Sequence, residues 1–475
     1  MNVGQVLRQG ALRHPEREAI AGAASWGALD RWAREIAGAL VARSVGPGAR
    51  VMLCAANRPG FVAAWFGIVY AGAVVVPAPI LSTREEVEAR LEKARCALVL
   101  CDEERAGLFR ACTVIESLRG DPLDHPCAVA PGDDAMILFT SGTTGAAKGA
   151  RISHASLLLH TAALVHHTLD LRAGDRVLAA LPLTHSFGCR MAMLAPFFVG
   201  ARIELVERFD AQATWRALCE KAITWAPVVP TMLAAWLRLP ASAPPPALRW
   251  VLSAGAPLPA ELALRAERRL GAAVRQGYGL TEATLSTIDA PPAPPTHGSV
   301  GRPVWGVEVR LAEDGEILVR GQNEMSGYLD DPEATEAVRV DGWLRTGDVG
   351  RIDGAGRLHV IDRKKDLIVR GGNNVHPAEV EAVLCAHPGV AEVAVVGRPD
   401  PYWGEEVVAV VVPRGDAALD DLGRFAAARL SPVKVPRELA VVDELPLGPS
   451  GKVLKRVLRE RLAAGTLRAT PLSHR

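Results

Sequence analysis

Residues 61–80 read FVAAWFGIVYAGAVVVPAPI, a run of twenty residues without a charge, and the way this run divides decides the fold. Taken whole, it has about the length that crosses a bilayer. Taken in two parts, it is a helix followed by a strand. Its first half has helical composition, Gly67 and Gly72 interrupt it, and the β-branched AVVVPAP is ended by prolines. A strand apolar at every position, rather than at alternate ones, is one buried on both faces, as in parallel sheets. The second division is adopted, predicting a buried helix that feeds a buried parallel strand, and no membrane span.

The same rhythm recurs on both sides of this run. Residues 27–42 place Leu29, Trp32, Ile36 and Leu40 on one helical face, and RVMLCA at 50–55 follows as a short apolar strand. Helix then strand returns in EEVEARLEKARCALVLCD at 85–102, in HASLLLHTAALVHH followed by DRVLAALPL, and in AELALRAERRLGAAVRQGYG. Such alternation indicates an α/β protein with largely parallel sheets. The proline-rich stretches at 240–246 and 290–296 read as exposed loops between periodic segments. From Gly306 to Asp362 strands and turns dominate (VEVRL, EILVRG, RLHVID), and the remainder mixes short helices with strands, as a small α+β domain does. A large domain over 1–363 and a small one over 364–475 are therefore expected.

The bulk numbers narrow the function classes. With 475 residues and 49% hydrophobic content, the chain can bury a large core in more than one domain. Its 54 Lys and Arg against 53 Asp and Glu leave a net charge of +1, which gives no electrostatic reason to expect a nucleic acid or an anionic membrane. Eight cysteines without a CxxC pair argue against a zinc site or a disulfide framework and for a reduced, cytoplasmic setting. The N-terminus lacks the continuous apolar segment of a secretory signal, so export is not expected.

Chemistry enters at Phe139–Gly149, FTSGTTGAAKG, where an apolar strand (AMILF) opens into a loop of small hydroxyl and glycine residues ending in a lysine. Glycines let backbone N–H groups approach an oxyanion, hydroxyls add donors and the lysine supplies charge, so Thr140, Ser141, Gly142, Thr143, Thr144 and Lys148 are candidate phosphate ligands. It is not a Walker A loop, which needs GxxxxGK followed by Ser or Thr. In Gln276-Gly-Tyr-Gly-Leu-Thr-Glu282, Tyr278 offers a flat face for a base, Thr281 a hydroxyl for a phosphate, and Glu282 an oxygen ligand for a hard cation.

TSGTTGAAKG is similar to the phosphate-loop signature of the adenylate-forming superfamily, which comprises acyl-CoA synthetases, carrier-loading adenylation domains and beetle luciferases. Further signatures follow in that family's order: Leu181–Gly188 (LPLTHSFG), Gln276–Glu282, Thr346-Gly-Asp348, Ile361–Asp366 (IDRKKD), Gly371–Glu379 (GGNNVHPAE) and Pro449-Ser-Gly-Lys452. Together they cover essentially the whole chain. The resemblance implies a large domain of mostly parallel sheets and helices with a distorted β-barrel-like part, and a small mobile C-terminal α+β domain. It implies ATP, Mg²⁺ and CoA, with Gly255, Ala256 and Pro257 bordering the adenine beside Gln276, Gly277 and Tyr278, Asp348 and Arg363 on the ribose, and Glu282 on the metal. Lys365 is the implied hinge, Lys452 the lysine of the adenylation step, and Gly371-Gly372 the segment brought up beside a pantetheine thiol. Thr281 and His185 complete the catalytic group. Alone, Asp348 reads as a turn aspartate, Arg363 as a surface arginine and Lys452 as a loop lysine.

The resemblance also bears on the substrate. Enzymes of this superfamily that take α-amino acids usually carry an aspartate just after the LPLTHSFG segment, and His185–Arg190 (HSFGCR) has no acid. A small carboxylic acid with an uncharged tail, aliphatic or aromatic, is expected, in a pocket drawing on His185, Val229, Thr231, Gly277 and Gly279. CoA is the preferred acceptor over a carrier-protein phosphopantetheine, since no carrier domain follows Lys452; a nucleotide-binding protein without activity is the third reading. The oligomeric state stays open. Two departures stand out: Ala147 where the family commonly has proline, and Asp362 where glycine is frequent.

Overall fold

The computed structural model describes residues 1–140, 147–415, 417, 419–448 and 453–472. The decisive run divides as expected. Pro59–Tyr70 is a helix with proline at its first turn, buried from Gly60 onward, and Gly72 (φ 75°) ends it by adopting a left-handed turn. Val74–Pro77 follows as a strand buried at every position. It lies parallel to Arg50–Cys54 and to Asp134–Phe139. No helix among the described residues is long and apolar enough to cross a membrane.

Helix Trp26–Ala42 packs across Pro59–Tyr70, and Gly67 marks the crossing. A Cβ there would stand 2.6 Å from Ile36 Cγ2 and 2.9 Å from the Ala33 carbonyl, so the close approach depends on glycine. Trp26, Trp65, Phe66 and Phe197 fill the space around this crossing with their rings in contact and no exposure above 1%. Each such side chain contributes roughly 1.5–3 kcal/mol relative to an exposed one. The buried Asp30 is satisfied by Arg8 (2.7 Å) and the Tyr70 hydroxyl (2.8 Å).

Two large sheets carry the site. The first has nine strands, in the order Arg302–Pro303, Thr287–Ile288, Ala273–Tyr278, Trp250–Ser253, Trp225–Val228, Arg176–Ala179, Arg202–Leu205, Glu18–Ile20 and Ala24–Ser25. The six strands from Ala273–Tyr278 to Glu18–Ile20 run parallel. The second sheet has seven strands, in the order Gly327–Tyr328, Gly149–Ser153, Asp134–Phe139, Val74–Pro77, Arg50–Cys54, Leu98–Cys101 and Thr113–Val114. It departs from the parallel expectation at one end, where Gly149–Ser153 turns back antiparallel on Asp134–Phe139.

The part expected to be barrel-like is a five-stranded antiparallel sheet built on Val307–Leu311, Glu316–Gly321, Arg339–Val340, Trp343–Ile352 and Leu358–Arg363. Beyond it, a six-stranded sheet centred on Val390–Asp400 and Gly404–Pro413 has its own apolar clusters on both faces, one around Ile368, Val395 and Leu422, the other around Val396, Val410 and Leu458. This is the small α+β unit.

Candidate active site

In open parallel sheets, ligands gather beyond the carboxyl ends of the strands, and the sequence motifs collect there. Trp250–Ser253 and Ala273–Tyr278 are parallel neighbours with Ser253 opposite Gln276, so Gly255-Ala256-Pro257 and Gln276-Gly277-Tyr278 emerge side by side. Gly279 lets the chain fold straight back, because a Cβ on it would lie 2.2 Å from the Leu285 nitrogen. Residues 279–286 contain no helix, so Glu282 is not a carboxylate at a helix N-terminus.

Asp348 is on a strand and not in the turn that Thr-Gly-Asp suggests. It lies within Trp343–Ile352 directly opposite Arg363, the last residue of Leu358–Arg363. The strand runs on through Gly347, where its register against Glu316–Gly321 shifts and a φ of 72° gives the local look of a turn. The buried Tyr278 donates its hydroxyl to Asp348 Oδ2 at 2.7 Å. Burial, and then the neighbouring carboxylate, pushes the Tyr278 phenol well above its ordinary pKa, so it remains a donor. Asp348 Oδ1 is 3.1 Å from Arg363 Nε, yet the contact lacks hydrogen-bond alignment, and among the described residues this buried oxygen has no hydrogen-bond donor.

The phosphate-loop strand is closed at its base by Thr140 N–H donating to the Lys148 carbonyl at 2.9 Å. Lys93 Nζ donates to the Ala147 carbonyl at 2.9 Å, at the position where the family commonly has proline. Ser141, Gly142, Thr143 and Thr144 lie outside the described residues. Lys148 Nζ sits 5.1 Å above the Tyr328 ring, and the Tyr328 hydroxyl donates to Glu282 Oε1 at 2.7 Å. One tyrosine thus spans the loop lysine and the candidate metal carboxylate. Neither Lys93 nor Tyr328 is marked by any motif; Tyr328 reaches the site because Gly327–Tyr328 pairs with Gly149–Ser153.

Two clefts adjoin this cluster and share Pro182 and His185. One, with an empty volume of about 440 Å³ including its open mouth, lies between the ends of the two sheets, with Pro77, Pro79, Leu138 and Phe139 on one side and Thr184, His185 and Thr281 on the other. The other is lined by Phe187, Gly188, Val229 and Gly255 among others. His185 Nδ1 accepts from the Phe187 N–H at 3.3 Å and starts the short helix Ser186–Gly188. Gly188 faces backbone, since a Cβ there would stand 2.1 Å from the Pro182 carbonyl. His185 lines both clefts, Thr281 the first and Val229 the second, whereas Thr231, Gly277 and Gly279 line neither.

On the small unit, Gly371 (φ 54°) and Gly372 (φ 77°) form a left-handed turn that only glycine adopts easily twice in succession. Gly371 N–H donates to the Trp403 carbonyl at 2.7 Å, and a Cβ on Gly371 would meet the Trp403 ring at 2.7 Å. Lys365 is in the single turn Lys364–Asp366 just after Arg363. Asp362 bridges across this point: Oδ2 accepts from the Ala378 N–H at 2.9 Å in the first turn of helix Pro377–Cys385. Lys452 lies outside the described residues.

A family model described as AMP-binding enzyme matches residues 7–329, and one described as AMP-binding enzyme C-terminal domain matches 379–452. A feruloyl-CoA synthase of an Amycolatopsis species is 37% identical over 465 residues, covering 92% of this chain and 94% of that protein. The long-chain-fatty-acid–CoA ligase FadD13 of Mycobacterium tuberculosis is 31% identical over 501 residues, covering 98% and 99%. The crystal structure of the anthranilate CoA ligase AuaEII in complex with anthranoyl-AMP superposes with a TM-score of 0.92 at 25% identity, covering 98% of each chain. The chain belongs to the AMP-binding enzyme family, among its acyl- and aryl-CoA ligases.

Proposed function

We propose that the protein joins an uncharged-tail carboxylic acid, aliphatic or aromatic, to CoA by way of the acyl-AMP, and that the roles expected for its site residues hold. The observation that carries this reading is the buried Asp348 Oδ1, which lacks a donor beside Tyr278 and Arg363 and is chemically matched to a ribose hydroxyl. The apolar lining of the first cleft, with prolines, Leu138 and Phe139 and no acidic side chain, supports an uncharged tail. Feruloyl, anthranoyl and long-chain acyl groups named for the relatives are of this breadth.

In the first half-reaction an oxygen of the substrate carboxylate attacks the α-phosphorus of ATP, and the bond to the leaving pyrophosphate breaks. Lys148 and Thr140 hold the phosphates, Thr281 donates to the α-phosphate next to His185, and Lys452 offsets charge as it shifts between carboxylate and phosphate. Glu282, fixed by Tyr328, is an oxygen donor suited to Mg²⁺, which when bound neutralises phosphate charge. In the second half-reaction the CoA thiolate adds to the acyl carbonyl and AMP departs with the bonding pair. The small domain, 364–475, turns about Lys365 against the large domain, 1–363, exchanging Lys452 for Gly371-Gly372.

The test is pyrophosphate release from ATP·Mg²⁺ over a panel of aliphatic, aryl and amino acids, each with and without CoA. Turnover that rises with CoA for one uncharged-tail class is expected. A single stoichiometric burst indifferent to CoA points to a carrier-protein thiol as acceptor, and preference for amino acids overturns the substrate reading.

A further inference from the structure

Arg190 is 1% exposed, in the π-helical turn Cys189–Leu194, and among the described residues no carboxylate pairs with it. Burying a guanidinium without a counter-charge costs several kcal/mol, and π-turns occur frequently at functional sites. Its partners are specific. Nη1 donates to the Ser156 carbonyl and to His160 Nδ1, both at 3.1 Å, and Nη2 to Ser156 Oγ at 3.3 Å.

The chemistry of these contacts gives the chain a direction. Burial lowers Arg190 only to about 10, so it is charged at neutral pH and can only donate. His160 Nδ1 must then accept, which leaves the ring hydrogen on Nε2. That atom is 3.2 Å from the Leu285 carbonyl and donates to it. Burial, and then the charge of Arg190, holds His160 well below its ordinary pKa, so the neutral tautomer persists. Both ends of this relay matter. Arg190 closes the segment that begins at His185 on the clefts, and Leu285 (φ 48°) closes the turn carrying Thr281 and Glu282. A second tie, Ser186 Oγ to Thr284 Oγ1 at 2.5 Å, joins the same two segments.

We propose that Arg190 and His160 are positioning residues that set the acid-binding wall around His185 at a fixed distance from the Thr281–Glu282 turn, and so act in the acid-activation half-reaction. This rests on the adenylating reading. The strain at Leu285, a non-glycine residue in a left-handed conformation, is held in part by the hydrogen bond from His160. Misplacing two reacting groups by even 1 Å costs on the order of 100-fold in rate, whereas the hydroxyl-to-carboxylate bond from Tyr278 to Asp348 shares no atom with the relay.

The experiment is steady-state pyrophosphate release by the full chain, with ATP and the preferred acid varied separately, for His160→Leu and Arg190→Met. The expected result is a fall of about tenfold or more in kcat/KM for the acid, with KM for ATP within about twofold of the parent. His160→Gln, whose amide can still donate to Leu285, should retain most of the activity. Should the first two variants fail to melt cooperatively, Ser186→Ala, which removes the second tie to Thr284, decides by the same split, with a smaller loss confined to the acid. Equal losses on acid and ATP, or unchanged acid kinetics in any folded variant of the pair, overturn the proposal. A parent that releases no pyrophosphate with any acid overturns the adenylating reading instead, and is told apart because the variants are then never compared.

Discussion

Tyr278 and Asp348, 70 positions apart in the chain, are joined by a hydroxyl-to-carboxylate hydrogen bond of 2.7 Å. It fastens the end of a parallel sheet strand to the antiparallel sheet that follows. Tyr278→Phe keeps the ring and removes the donor, leaving a buried carboxylate oxygen unsatisfied, which costs about 1–3 kcal/mol. KM for ATP in pyrophosphate release should rise by about tenfold, while kcat/KM ratios among acids stay as they are. An unchanged KM for ATP removes Asp348 from the ribose.

Lys452→Ala should abolish most pyrophosphate release, by about a hundredfold or more, because an interaction made as charge redistributes is lost. ATP binding, followed by calorimetry, should remain near that of the parent. Normal adenylation by this variant ends the assignment of Lys452.

Asp362 stands where the family frequently has glycine, and its carboxylate serves a backbone N–H in the first turn of helix Pro377–Cys385, whose preceding residue, His376, offers no side-chain cap. Loss of such a cap typically costs about 1 kcal/mol. Asp362→Gly should therefore speed hydrogen exchange at the Ala378 amide by about fivefold. Protection equal to the parent means that the bond does not hold the helix to the strand.

His154 is fully buried, with Nδ1 accepting from the Val3 N–H at 3.2 Å and Nε2 without a partner among the described residues. Burial, and then the positive N-terminus, lowers its pKa to about 4. The unfolded chain protonates histidine near the ordinary value of about 6.5, so it binds this proton over a range in which the folded protein refuses it. Stability from this site is complete above about 6.5 and declines as pH falls toward 4. His154→Asn, which can still accept at the Nδ1 position, should flatten the fall in Tm over that range. The flattening is partial, since the buried His160 titrates in the same direction.

The fold was legible where burial writes itself into composition. Phe61–Ile80 could be divided because an all-apolar β-branched run has one comfortable place, the middle of a parallel sheet. Asp348 was misplaced in a turn because strand pairing is a long-range property: Gly347 looks like a turn residue locally, and nothing nearby shows that Leu358–Arg363 lies alongside. Tyr328, Lys93 and His160 were missed for the same reason, being ordinary residues made relevant by neighbours distant in sequence. Arg190 did carry a signal, a charge inside the apolar run CRMAML, which by hydropathy alone should have been turned outward.

Gly188 has one more consequence. The Pro182 carbonyl stands where a side chain on Gly188 would begin, and main chain does not recede when a neighbouring residue is swapped. With this cleft proposed as the acyl site, the side chains of Phe187 and Val229 on its wall are the positions to vary when redesigning selectivity, and Gly188 is a stop.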